Sequence, residues 1–392
     1  MAVSLASEGA FAAAMVTRLA LTDFRGYGAA RLALAPRPVV LTGANGAGKT
    51  NLLEAVSFLA PGRGLRRARL GDIDRRVPPA RATERPPGAW ACAATLTGPR
   101  GVTEIGTGRD PTSDTGERRL VRIDGNAAKS QAALAEHLCV IWLTPQMDRL
   151  FTEAASARRR FLDRLVYGFD PAHAHRVAAF EQAMRERARL LAEDRPADPA
   201  WLTALEGRMA ENGIAVVAAR RDTVARLDDA GAEFHGAFPA ARLALEGEIE
   251  RWLDTMPALA AEEEFARRLA AGRRADAAAG TTALGPHRAD LAARHGGTHM
   301  QASQCSTGEQ KALLIGIVLA FARLMARRRG EVPILLLDEV AAHLDVVRRD
   351  ALFAELATSR GQAWLTGTDK DLFDGMAGAA QFLTVADAVI ST

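Results

Sequence analysis

The chain has 392 residues, of which 48% are hydrophobic and 25% charged, with a net charge of +3, 17 prolines and 34 glycines. Such a composition buries a large core, leaves room for two domains or one domain with an insertion, and excludes a disordered or collagen-like chain. The three cysteines, Cys92, Cys139 and Cys305, are odd in number and too widely spaced for a disulfide framework, and no apolar run reaches membrane-spanning length, so the expected setting is the reducing cytoplasm, without membrane partners.

Nearly all the positive charge is arginine, the only lysines being Lys49, Lys129, Lys311 and Lys370. A GC-rich genome produces the same bias, so arginine clusters carry little weight for nucleic-acid binding by themselves. Residues 1–14 lack a basic start and contain Glu8, against a secretory signal; a disordered extension is expected there, with Met15 a second candidate start. Residues 16–21 alternate like a half-buried strand, and residues 31–34 can pair with them as a hairpin.

Residues 38–42 read as a short buried strand leading into Gly43-Ala44-Asn45-Gly46-Ala47-Gly48-Lys49-Thr50, and residues 51–59 as an amphipathic helix beginning with Asn51. Strand, glycine loop and helix match the phosphate-cradling pattern G-x-x-x-x-G-K-[ST] at every fixed position. The glycines let successive N–H groups face phosphate oxygens at the positive end of a helix. Lys49 is expected to reach the β- and γ-phosphates, and the Thr50 hydroxyl to hold Mg²⁺.

Beyond this helix, residues 61–69 form a basic loop, suited equally to phosphates or to solvent, and residues 75–88 read as an exposed proline- and arginine-rich loop. Residues 89–96, 102–107 and 119–123 read as strands of an antiparallel sheet, the last closed by the Asp124-Gly125 turn. Residues 138–143 form a continuous apolar strand, past which Gln146 either reaches Mg²⁺ or the attacking water or simply caps a loop. From residue 152 to 278 alanine, leucine and arginine dominate, predicting an all-α insertion with no heptad run long enough for a long coiled coil. Glu181, Arg185 and Arg189 fall on one helix face as ordinary i, i+4 ion pairs.

Chemistry returns at Ser306-Thr307-Gly308-Glu309-Gln310-Lys311, where Ser306 and Glu309 have capping-box spacing and open a second anion-binding helix start. Residues 333–337 form an apolar strand ending in Asp338 and Glu339, placed to hold Mg²⁺ and to orient or deprotonate water respectively. Leu344-Asp345 follows, and then a strand over 363–366 whose end, Gly367-Thr368-Asp369, is where a residue sensing the γ-phosphate is expected.

In this order the motifs resemble the ABC-type ATPase head: phosphate loop, Gln146 loop, a Ser-x-Gly-x-Gln signature, the Asp-Glu strand end and the Leu-Asp loop. The resemblance implies an α/β fold with a mixed sheet core, an antiparallel β subdomain and an inserted helical domain, the ATPase halves being residues 15–151 and 279–392. It also implies a head-to-tail homodimer with ATP between the subunits, Ser306, Thr307, Gly308, Gln310 and Asp345 of one completing the site of the other.

Within the class the chain is similar to the RecF family through Leu21-Thr22-Asp23-Phe24-Arg25-Gly26-Tyr27, Arg158-Arg159-Arg160-Phe161-Leu162-Asp163, Gly285-Pro286-His287-Arg288-Ala289-Asp290-Leu291, and the strings 306–311 and 336–345. That similarity implies an ATP-dependent dimer that recognises gapped or junction DNA at single-strand/double-strand boundaries, acts with RecR and RecO to load RecA, and hydrolyses ATP weakly. The nucleotide-binding subunit of another ABC-type machine, such as a transporter, is the alternative; its usual stretch between Gln loop and signature is shorter than here.

Overall fold

The computed structural model describes residues 13–76, 88–113, 118–193, 198–232 and 236–391. Most of the expected N-terminal extension and of the loop over 75–88 lies outside the described residues. The chain forms two compact units, the first built from Met1–Pro145 and Ala322–Thr392 and the second from Gln146–Phe321.

The first unit holds two six-stranded sheets. One is antiparallel, in the order β2 (Tyr27–Ala33), β1 (Met15–Phe24), β4 (Ala91–Gly98), β5 (Gly101–Arg109), β6 (Arg119–Ile123), β7 (Asn126–Ala127). Alternation along β1 puts Leu19 and Leu21 inward and Arg18 outward, and a bulge between Val16 and Arg18 lets Val16 face the core as well. The other sheet runs β14 (Val389–Ser391), β13 (Gln381–Ala386), β3 (Val39–Thr42), β12 (Ala363–Gly367), β11 (Ile334–Leu337), β8 (Val140–Leu143), parallel except for β14. Strands β3, β12 and β11 and the edge strand β8 are buried at every residue, as in parallel sheets covered on both faces. Helix α1 (Lys49–Ser57) packs against strands of both sheets, and Phe24, Phe58 and Trp90 form an aromatic cluster with edge and tilted contacts.

The second unit is helical: α2 (Ala155–Phe169), α3 (His173–Leu191), α4 (Pro199–Ala232), α5 (Glu248–Thr255), α6 (Ala258–Ala279) and the start of α7 (Thr307–Arg329). The last helix, α8 (Val346–Thr358), belongs to the first unit. The insertion is not wholly helical, since β9 (Ala241–Glu246) pairs antiparallel with β10 (Asp290–His295). The unit also takes in residues 146–151 and 279–321, expected within the ATPase halves. The β9–β10 pairing and two sets of arginine contacts are the reason. Arg158 grips Asp290 with bonds of 2.7 and 2.8 Å, and Arg159 donates to the Ala289 carbonyl at 2.6 Å, so two strings far apart in sequence interlock.

Buried charge holds these helices together. Arg187 of α3, fully buried, donates to Glu206 of α4 at 3.0 Å, to Asp276 of α6 at 2.7 Å and to the Leu269 carbonyl at 2.7 Å. Asp163 of α2 accepts two bonds from Arg220 of α4 and lies 2.8 Å from His173 of α3, while Arg220 also donates to the Pro286 carbonyl at 2.7 Å. Burial alone would raise the Asp163 carboxyl, but the Arg220 charge and the hydrogen bonds from His173 and Arg220 bring it down to about 2. A depressed carboxyl stabilises the fold fully above its unfolded pKa near 4 and loses that contribution as pH falls toward its folded value. Asp163→Asn, which leaves Arg220 buried without its ion partner, is expected to cost about 3–5 kcal/mol in urea denaturation at neutral pH. The gap to wild type should narrow as pH falls from about 5 toward 2; a pH-independent gap would contradict the pairing.

Candidate functional site

Strand β3 ends at Thr42, and the glycine loop carries the chain into α1, which opens at Lys49 with no side-chain cap and no acidic residue in its first turn. Its positive end is thus left for an anion. Two glycines are required by space as well as by backbone angle. Gly43 has φ 143°, and a Cβ there would lie 2.1 Å from the Val385 carbonyl oxygen; Gly48 has φ 114°, and a Cβ would lie 2.8 Å from the Tyr27 hydroxyl. Ala44, Asn45 and Gly46 form the exposed crest, closed by a 3.2 Å bond from the Ala47 N–H to the Ala44 carbonyl.

Lys49 is 5% exposed and folds back over the loop, its Nζ donating to the Gly43 carbonyl at 2.6 Å and the Ala44 carbonyl at 2.9 Å. Burial pulls its pKa down, against the opposing attraction of Glu339 and Asp338. Because a trans peptide is planar, with C=O and N–H opposed, holding these two carbonyls turns the N–H groups of Ala44 and Asn45 the other way. The Tyr27 hydroxyl, donating to the Gly48 carbonyl at 3.1 Å, does the same for the Lys49 N–H.

Parallel packing brings the acidic strand end to this loop. Strand β12 lies between β3 and β11, and its Thr366 donates to Asp338 Oδ1 at 2.8 Å and accepts the Glu339 N–H at 2.9 Å. The Thr50 hydroxyl donates to the same Asp338 oxygen at 3.0 Å. Burial pushes the Asp338 carboxyl above the usual range, while the Thr366 and Thr50 hydrogen bonds hold it down. Glu339 is half-buried with φ 54°, a left-handed conformation unusual for a long side chain. A hydroxyl and a carboxylate at this spacing are hard oxygen donors of the kind that hold Mg²⁺ together with substrate phosphates, rather than an all-protein cage. Consistently, no group of three or more His, Cys, Asp or Glu able to hold a metal occurs among the described residues.

The frame behind the loop was not legible in the motifs. Glu54 of α1, fully buried, accepts bonds of 2.9 and 2.8 Å from Arg25 and one of 3.0 Å from Arg66. Arg66 also donates to the Asn51 side chain at 2.7 Å, so this exposed member of the basic loop is bound to the helix. Arg119 closes the other end of α1, donating to the carbonyls of Phe58 and Gly62 and to Thr107; burial lowers its pKa to about 10. Asp345 caps α8, accepting the Arg348 N–H at 2.9 Å.

The remaining expected residues belong to the second unit. Ser306 and Glu309 form the capping box: Glu309 Oε2 accepts the Ser306 N–H at 2.9 Å, and Ser306 Oγ accepts the Glu309 N–H at 3.3 Å. Ser306, Thr307 and Gly308 are exposed, whereas Gln310 is buried and donates to the Cys305 carbonyl at 2.9 Å. Gln146 is exposed in a single turn, Pro145–Arg149, whose Asp148 pairs with Lys311 of α7 at 3.3 Å. Glu54→Ala, which strips both arginines of their buried carboxylate, is expected to lower stability by about 3 kcal/mol, with Glu54→Gln losing less, as read by urea denaturation. Equal stability of Glu54→Ala and wild type would contradict the framing role.

Comparison with known proteins bears on the family and the fold. A family model described as the RecF/RecN/SMC N terminal domain matches residues 15–390. The chain is 51% identical over 378 residues to the DNA replication and repair protein RecF of Rhizobium rhizogenes, and 49% identical over 378 residues to that of Rhizobium meliloti, covering 96% of this chain and 98% of each relative. Among solved structures, the recombination mediator protein RecF-ATP of the RecFOR pathway superposes with a TM-score of 0.80 at 19% identity, over 98% of this chain and 99% of that one. The Smc head domain of Pyrococcus furiosus, with a TM-score of 0.53 at 16% identity over 96% and 95% of the two chains, shares the fold more distantly. With phosphate loop, Asp-Glu strand end and signature all carried on this fold, the chain belongs to the RecF family.

Proposed function

We propose that the protein is an ATP-dependent DNA-binding homodimer that recognises gapped or junction DNA and, with RecR and RecO, promotes RecA loading in recombinational repair and replication restart. The observation that carries the nucleotide part is the convergence of Lys49, Thr50, Asp338 and Glu339 at the phosphate loop. Thr50 and Asp338, with Gln146, would hold Mg²⁺, which when bound neutralises phosphate charge and fixes its geometry. Gly43 to Gly48 cradle the phosphates, Lys49 neutralises them, and Glu339 orients or deprotonates water in a slow hydrolysis that reopens the dimer. Ser306, Thr307 and Gly308 of a second subunit meet the nucleotide from the other side, with Asp345 at the same interface and Gln310 bracing the signature from within. Among solved relatives, one is the recombination mediator RecF in its ATP form.

The open face of the antiparallel sheet supports the DNA part. Reading across the strands, Arg31 stands opposite Ala20, Ala20 opposite Ala93, Ala93 opposite Gly106, and Gly106 opposite Arg122. Four strand steps separate the two arginines by about 19 Å. Arg18 flanks the row, and Glu104 is the single acidic residue lining the groove. Among the described residues no carboxylate pairs with Arg18, Arg31 or Arg122. Small side chains between cations admit a phosphate backbone, and the absence of aromatic residues from the lining disfavours base stacking.

Sedimentation with Mg-ATP, with and without gapped duplex, tests the reading. Wild type should dimerise and bind duplex. Ser306→Arg should stay monomeric while still binding ATP, and the double variant Arg31→Ala with Arg122→Ala should dimerise but show a salt dependence of duplex binding shallower by about two phosphate contacts. Wild type that stays monomeric with ATP, or ignores DNA, would overturn it.

A further inference from the structure

The last strands of the chain reach the phosphate loop. Strand β13 runs parallel to β3, with Thr384 opposite Thr42, so Val385 falls beside Gly43, where its carbonyl leaves no room for a side chain. The chain then reverses into β14 in two residues, Asp387 and Ala388, since Ala386 pairs with Val389. Both turn residues are left-handed, at φ 46° and 60°. That is the geometry of the tight hairpin turn normally filled by Asn-Gly, and here two residues with side chains accept it. The reversal delivers the Ala388 N–H to the Ala47 carbonyl at 2.9 Å. On its other side, a Cβ added to Gly26 in the β1–β2 turn would lie 3.5 Å from the Ala388 Cβ, so the turn is seated between that reversal and the phosphate loop.

We propose that the Asp387–Ala388 turn is a positioning element of the phosphate site, with the Ala388 N–H setting the orientation of the Ala47–Gly48 peptide. This peptide is one that Lys49 and Tyr27 leave unheld, the one next to the helix start: Lys49 fixes the carbonyls of Gly43 and Ala44, and Tyr27 that of Gly48. Because the peptide is planar, holding the Ala47 carbonyl toward the hairpin directs the Gly48 N–H away from it, at the threshold of α1 where phosphate is bound. The left-handed turn persists because only a two-residue reversal of this shape places an N–H at that carbonyl while keeping β14 in register.

The inference rests on the nucleotide reading, so its test has one arm that needs no nucleotide. Amide hydrogen exchange over residues 43–49 is measured in the nucleotide-free protein, and affinity is measured with mant-ATP and Mg²⁺, for wild type, Ala388→Gly and Ala388→Pro. Ala388→Gly keeps the N–H and accepts the left-handed angle, and should match wild type in both. Ala388→Pro has no N–H and cannot take the left-handed φ of 60°, so it removes the bond and opens the turn together; it should exchange faster across the loop and bind mant-ATP at least about tenfold more weakly, one ordinary hydrogen bond setting the lower bound. Should Ala388→Pro not fold, a chain ending at Ala386 removes the same bond while leaving β13 in place, and carries the same expectation. Unchanged loop exchange in the variant lacking the N–H overturns the positioning role. Wild type that does not bind mant-ATP overturns the nucleotide reading instead.

Discussion

A buried carboxylate has to be answered by donors, and Asp338 is answered by hydroxyls rather than by a cation of the protein. Thr50 and Thr366 both donate to its Oδ1, and Lys49, the nearest ammonium along the loop, spends its protons on the carbonyls of Gly43 and Ala44. Burial therefore pushes this carboxyl upward, a cost that the two hydroxyls only moderate. The sheet order follows from the same need. With β12 between β3 and β11, Thr366 holds the acidic strand end from the neighbouring strand, while Thr50 reaches the same Asp338 oxygen from the phosphate helix.

The loop itself is held from outside by groups that fix its carbonyls, so that its N–H groups are aimed before any ligand arrives. Lys49, Tyr27 and Ala388 take different carbonyls of the loop, and the helix that follows is held at Glu54 by Arg25 and Arg66 and beyond its last turn by Arg119 on the carbonyls of Phe58 and Gly62. Preorganisation of this kind lowers the cost of binding a polyanion because little backbone has to move. In the second unit Arg187, Arg220 and Arg158 each satisfy an acidic partner and a carbonyl: Arg187 ties α3 to α4 and α6, while Arg220 and Arg158 tie α4 and α2 to the 285–291 segment.

What could be read from the sequence was local. The phosphate loop, the capping box at Ser306 and the buried strand before Asp338 are contiguous patterns, and each stands where its spacing put it. Pairings between distant segments were not legible. Thr366 is an ordinary strand-end threonine until β12 is known to lie between β3 and β11. Strand β9, rich in alanine, leucine and arginine, has helix-forming composition, and only pairing with β10 makes it a strand. The β13–β14 hairpin lacks the Asn-Gly signal that announces such a turn, because Asp387 and Ala388 are held left-handed by the contact they make rather than by their own preference. Gln310 reads as a ligand-facing residue of the signature, yet its amide is buried against the Cys305 carbonyl, a choice set by packing around α7.

On the proposed function, Asp338 is kept for a cation that comes with the nucleotide. The direct measurement is mant-ATP affinity with and without Mg²⁺, for wild type and Asp338→Asn. Mg²⁺ should tighten binding to wild type and have little effect on Asp338→Asn, while the variant binds metal-free nucleotide at least as well as wild type, having lost a negative charge beside the phosphates. A variant that keeps the full Mg²⁺ effect would show that Asp338 serves the fold alone.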